Sequence, residues 1–417
     1  MPRKILIVAA TTGYQTRIFE ETAKQIGFEV VMATDRCRHL EDPWQDGALP
    51  VRFHQPDAGV ETLSHLDARP DGILAIGDKP TVLAAATAEQ LGLPFHPREA
   101  VEACRNKFLA RERFLAAGLN VPYYYRVSLD MEVGEAARCA RFPCVLKPLG
   151  LSGSRGVIRA EDEFDFIQAF ERIRSILEQR DIVRLDEEQD RYIQVESYIP
   201  GREYAIEGLV AGGQLRVLAV FDKPDELEGP YFEETIYVTP SRASAEIQAD
   251  LIQTTQRAVT ALGLTHGPVH AEMRHNAEGT WMLEMAARPI GGLCARSLRF
   301  DGGKSLEEVL LRFAVGDDAG SLRREPCASG VMMIPIPKSG IFDSYSGLEE
   351  AAAVPSIEDV IVTAKKGQKL QQLPEGSSYL GFIFARANSP AEVEAALRDS
   401  HSRLRFQIMT ELPSARI

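Results

Sequence analysis

No apolar stretch in this chain reaches the roughly 20 residues a membrane-spanning helix needs. An excess of basic charge is missing too. The 417 residues hold 47 Lys and Arg against 60 Asp and Glu, a net charge of −13. That argues against a nucleic-acid polyanion as main partner, because backbone binding needs a basic footprint. Cysteine is scarce. Cys37, Cys104, Cys139, Cys144, Cys294 and Cys327 form no C-x-x-C pair and no zinc-spaced cluster with histidine. They read as incidental thiols of a reducing cytosol, so a cytoplasmic location is expected. The run Ile5–Ala10 is short for a secretory signal and reads as a first strand. No repeat or low-complexity tract is present.

What is there is alternating apolar runs and helical patterns. KILIVAA (4–10), a helix over 16–27 and FEVVMA (28–33) form a β-α-β unit. DGILAIGD (71–78) and TVLAAATAEQLG extend it, so residues 1–97 predict a Rossmann-like, doubly wound α/β domain. Its first loop, ATTGYQ, lacks G-x-G-x-x-G, and no dinucleotide site is assigned. Asp78 and Lys79 sit at the carboxyl end of a strand, where such sheets bind ligands, but their expected role is a plain turn. Residues 98–118 read as helix, then strands at 123–128, 144–148, 156–160 and 191–199 surround a helix over 162–179. The charged segment 180–191 reads as a solvated connection. A hairpin crosses Gly212-Gly213, a helix covers 249–263, and two strands flank the turn HNAEGT. The tail 326–417 predicts a β-rich subdomain.

The hairpin 268–287 carries the sharpest signal. If its turn centres near Glu278, Glu272 pairs with Glu284, Met273 with Leu283 and His270 with Ala286. Two carboxylates opposed in a sheet repel, and a divalent cation removes the repulsion. Oxygen-only ligation suits Mg²⁺, completed by water and phosphate. An exposed face with Arg274 screening one charge would also be consistent, but Trp281, Met282, Leu283 and Met285 crowd Glu284. In LKPLGLSGSRGV (146–157), Lys147 and a Gly/Ser loop can cradle phosphate, or form a glycine-rich hairpin. Glu196 and Glu203, around Pro200-Gly201, can accept from ribose hydroxyls or an adenine amino group.

These pieces stand in a telling order: NK at 106–107, VLKP, G-x-S-G-S-x-G-V, VESYIPGREY, HAE and LEMAARPIGG. The set resembles the ATP-grasp superfamily from about residue 1 to 315. The resemblance implies an ATP-grasp fold with linker helices and a mobile lid subdomain over 98–198, a central subdomain with the metal site over 199–325, and the β-rich part over 326–417. It also implies that Lys107 and Lys147 contact ATP phosphates and that Ser152, Gly153, Ser154 and Gly156 form the lid loop. Glu196, Tyr198 and Ile199 would line the adenine pocket, and Glu203 would bind ribose. Glu272 and Glu284 would hold Mg²⁺, or Mn²⁺ in its place. Arg288 would grip the acyl phosphate or substrate carboxylate, bidentate work that suits arginine.

Many members carry Glu-x-Asn-x-Arg where this chain has Glu284-Met285-Ala286-Ala287-Arg288. The Glu-x-Ala-Ala-Arg form resembles the L-amino-acid ligase branch, as do SGVMMIPIPKSG and SSYLGFIFAR. The expected activity is ATP-dependent joining of a small carboxylate to an amine through an acyl phosphate, with an amino acid as one substrate. A homodimer is compatible with this reading. For the acceptor, the segment 221–241 offers Asp222, Lys223, Glu233 and Glu234, which fit a substrate's charged ends or a solvated loop equally. His270 can serve as a base or as a structural hydrogen-bond partner. Two other functions remain open: a bicarbonate-activating carboxylase like biotin carboxylase, and a non-catalytic nucleotide-binding regulator, suggested by Ala286.

Overall fold

Ile5–Ala9 and Gly72–Ile76 are buried without interruption, the pattern of strands covered on both faces. The computed structural model describes residues 2–11, 15–36, 47–183, 185–318 and 322–411; Cys37 and residues 12–14 of the first loop lie outside them. The chain divides into two compact units, residues 1–121, 204–220 and 244–325, and residues 122–203, 221–243 and 326–417.

In the first unit, Leu49–Pro50, Glu29–Thr34, Lys4–Ala9 and Gly72–Ile76 form a parallel sheet in that order. Helices Thr16–Gln25, Thr81–Leu91 and Leu306–Ala314 pack against it. The helical pattern over 98–118 resolves into two helices, Arg98–Arg105 and Lys107–Ala116. Asn106 causes the break. Its backbone is extended, and its side chain accepts from the N–H groups of Phe108 and Leu109, capping the second helix. An antiparallel sheet follows in the order 279–286, 266–276, 204–211, 214–220. The helix Ala245–Leu262 packs on its hairpin, starting at a Ser244 cap and ending at Gly263 in the left-handed region.

The hairpin register places Glu272 opposite Glu284 and His270 opposite Ala286, as the spacing predicts. Nearer the turn the prediction is off by one residue. Met273 faces Met282 rather than Leu283, because a bulge follows Glu272. The bulged Leu283 offers its carbonyl to Nη2 of the buried Arg111 at 3.1 Å.

In the second unit, Tyr124–Ser128, Tyr192–Ser197, Cys144–Pro148 and Ile158–Ala160 form an antiparallel sheet. The helix Glu163–Leu177 covers it with Phe166, Phe170, Ile173 and Leu177. The segment 180–191 is more ordered than its charge suggests, holding the helical turn Arg180–Val183 and a 3-10 turn at Glu188–Arg191. Within this unit the strands Ile236–Thr239, Ala328–Ile334, Gly381–Ala387 and Ile357–Val362 also lie side by side in that order, backed by the helix Pro390–Arg403. A small three-stranded sheet, 369–370, 340–346 and 405–409, completes the β-rich C-terminal region. Among the described residues, no helix is long and apolar enough to cross a membrane, and the described cysteines are free thiols.

Candidate active site

Two clusters of polar side chains stand out, one in each unit. The first grows from the hairpin. Glu272 and Glu284 are opposed across the strands, and both stay partly exposed. Hard carboxylate oxygens at one edge of a sheet fit Mg²⁺. Ala286 is buried opposite His270 and can contribute no ligand through its methyl group. Lys107, the first residue of its helix, lies 3.8 Å from Glu284. Next to these carboxylates sits Arg288. Its Nε and Nη2 donate to the two carboxylate oxygens of Asp78 at 2.9 and 3.1 Å, and its Nη1 donates to the Pro289 carbonyl.

Burial acts to lower the Arg288 pKa, but Asp78, Glu284 and Glu272 outweigh it and hold the guanidinium firmly charged. Asp78 shows the converse. Burial pushes its carboxyl up, yet Arg288, Arg105 and Lys107 bring it below the usual carboxylate range. Asp78 is therefore more than a turn residue, because it orients the fork of Arg288. The signal in sequence was its place at the carboxyl end of a strand. His270 is buried, with Nδ1 3.1 Å from Glu207 and Nε2 3.4 Å from Glu272. Burial alone would lower its pKa; the two carboxylates raise it to about 9.

The second cluster surrounds Lys147, whose Nζ donates to Glu196 Oε2 at 2.5 Å. Gln194 donates to the other oxygen of this buried carboxylate. Tyr198 lies under the Arg159 guanidinium, 4.0 Å from its ring centre, and Ile199 is buried beside it in sequence. The Gly/Ser loop turns through the left-handed region at Gly153, Ser154 and Gly156. At Gly156 a Cβ would meet Pro148 Cγ at 2.6 Å, so both the turn and the close approach require glycine. Its N–H donates to the Pro374 carbonyl. Ser152 begins that loop.

Lys223, expected to meet a substrate carboxylate, is buried between Glu203 and Glu234. It also lies 5.0 Å from the Tyr237 ring centre, and Tyr237 donates to Glu234 at 2.8 Å. The ammonium thus ties together the glutamate expected at ribose and one of the candidates for a substrate's charged ends. Asp222 instead caps a turn, accepting from Ser241 and from Arg242. Burial pushes the Glu233 carboxyl up.

The fold is that of the ATP-grasp carboxylate–amine ligases, enzymes that bind ATP and form C–N bonds. Residues 140–297 match the ATP-grasp domain, and residues 332–409 match the L-amino acid ligase C-terminal domain 2. Within the class, the chain is similar to the L-amino acid ligase from Bacillus licheniformis. That structure is 26% identical, with a TM-score of 0.82 over 98% of this chain and 100% of that one. Dapdiamide A synthase of Enterobacter agglomerans is 26% identical over 57% of this chain and 55% of its own length. Carnosine synthase 1 of Gallus gallus is 27% identical over 70% of this chain and 33% of its own length. The chain thus spans about half of the one and a third of the other.

Proposed function

We propose that this ligase takes an amino acid as one substrate and builds an amide or peptide bond through an acyl phosphate. A carboxylate oxygen of the first substrate attacks the γ-phosphorus, and ADP leaves with the electrons of the broken P–O bond. The amine nitrogen of the second attacks the acyl carbon, loses a proton and expels phosphate. The observation that carries this reading is the grouping of Glu272, Glu284, Lys107 and Arg288 in one unit.

Each residue has a physical task. Lys107 and Lys147 offset phosphate charge, and backbone N–H groups of the 150–156 loop close over the phosphates. The loop then excludes water, to which an acyl phosphate is vulnerable. Glu196, with Tyr198 and Ile199, reads the adenine edge, and Glu203 takes ribose. Glu272 and Glu284 would hold Mg²⁺, which supplies charge neutralisation at the transferring phosphoryl group. Arg288, held in line by Asp78, grips the acyl phosphate and donates to the oxyanion of the tetrahedral intermediate. Glu234 meets a substrate ammonium, and Lys223 a carboxylate, each giving up part of its present pairing. The similarity to peptide- and amide-forming relatives supports an amino acid as substrate.

The test is ADP and phosphate release from Mg-ATP with pools of amino acids, singly and paired, with bicarbonate as a separate arm. Turnover that requires two amino-acid-type substrates is expected; dependence on bicarbonate instead would overturn the reading. Glu284→Gln is expected to abolish turnover while leaving the chain folded. Undiminished activity in that variant would remove the metal role.

A further inference from the structure

Glu207 holds none of the roles assigned above. It lies in the strand Arg202–Ala211, next to the hairpin strand His266–Asn276, with no exposed surface. A carboxylate this deep is costly unless its oxygens find donors. Oε2 faces His270 Nδ1 at 3.1 Å, and the Ile290 N–H reaches Oε1 at 3.2 Å and Oε2 at 3.1 Å. On the far side of the imidazole, Nε2 lies 3.4 Å from Glu272 Oε1. Both ring nitrogens thus face a glutamate oxygen, and the ring is held between the two side chains. Ile290 is held from its other side too, its carbonyl accepting from the buried Gln15 at 2.7 Å. It follows Arg288 by two residues.

We propose that Glu207 is a positioning residue for the ligase reaction. Through His270 it fixes the side chain of Glu272, and through the Ile290 N–H it fixes the turn that carries Arg288. One buried carboxylate thereby sets the spacing between a metal-binding oxygen and the guanidinium at the acyl phosphate. The proposal rests on the roles given above to Glu272 and Arg288. Partners standing behind a metal ligand commonly govern 10–100-fold of metal affinity or activity, because a ligand free to rotate must be ordered on binding.

Glu207→Gln keeps the shape and an acceptor for the Ile290 N–H while removing the charge. Mn²⁺ is titrated into the ATP-loaded protein and followed by electron paramagnetic resonance. The expected result is about tenfold weaker Mn²⁺ binding and a kcat lower by a similar factor. KM for ATP should hold, since the residues assigned to the nucleotide are untouched. His270→Gln cuts the relay one link on and is expected to show the same Mn²⁺ loss, with the double variant no worse than either single. Wild-type Mn²⁺ affinity and kcat in Glu207→Gln, or losses that multiply in the double variant, overturn the proposal. Should Glu207→Gln fail to fold, His270→Gln decides alone: Mn²⁺ affinity equal to wild type overturns it. Glu272→Gln is the control. If that variant binds Mn²⁺ like wild type, the metal assignment itself has failed, and the proposal falls with it.

Discussion

His96 shows how much one buried side chain can say about acid stability. The Thr265 N–H points at its Nδ1, which must therefore carry a lone pair, and Nε2 faces the Pro268 carbonyl. The ring is neutral, and burial holds its pKa down to about 4. Between that value and about 6.5, the unfolded chain binds a proton that the folded chain refuses. Stability thus falls on acidification through this window, by up to about 1.4 kcal/mol per pH unit from this group, and the loss levels off below the folded pKa. His96→Gln should flatten that slope, which urea midpoints measured from pH 4 to 7 will show. Other residue-scale features were less legible in the sequence. The Asp78–Arg288 pair spans 210 positions, and Glu207 reaches Ile290 across 83. Residue spacing reports local periodicity; it does not report which distant side chain fills a given donor.

At the scale of elements, alternation and apolar runs marked most strands of residues 1–290, because burial imposes its period directly on the side chains, but they missed Leu49–Pro50 and Ile236–Thr239 and gave the tail only as β-rich. They also placed Glu272 opposite Glu284. They missed the bulge beside that pair, since an extra strand residue has no composition of its own and is stabilised here by Arg111 from another element. The helix break at Asn106 was half visible. Asparagine is a good cap, but the apolar pattern runs through it. Asn106→Ala is expected to cost about 1 kcal/mol of stability, read from denaturant unfolding, because two N–H groups lose their acceptor. An equal loss from Asn106→Asp would count against the cap, since aspartate caps as well.

Across the molecule, the C-terminal region reaches the glycine loop of the second unit. Pro374 accepts from Gly156, Arg155 Nε donates to the Glu375 carbonyl, and Arg172 grips the Glu375 carboxylate at 2.6 and 3.0 Å. Arg172 is 42% exposed, so solvent screening limits the pair to about 1 kcal/mol. Glu375→Ala should therefore raise the rate of tryptic cleavage after Arg155 about fivefold, as the loop opens more often; an unchanged rate would show that the backbone bonds alone hold it. The division of the chain has a consequence for its synthesis. Six segments alternate between the two units, so each unit is stitched from three separate stretches. Gln15, Glu207 and His270 come one from each stretch of the first unit. On the ribosome, the relay behind Glu272 cannot assemble until the chain has been translated past Ile290, and the second unit waits for the C-terminal region after that. A polypeptide released between residues 290 and 325 would contain all the proposed ligand residues and neither finished unit, which makes truncation a poor route to a minimal enzyme and circular permutation a more informative one.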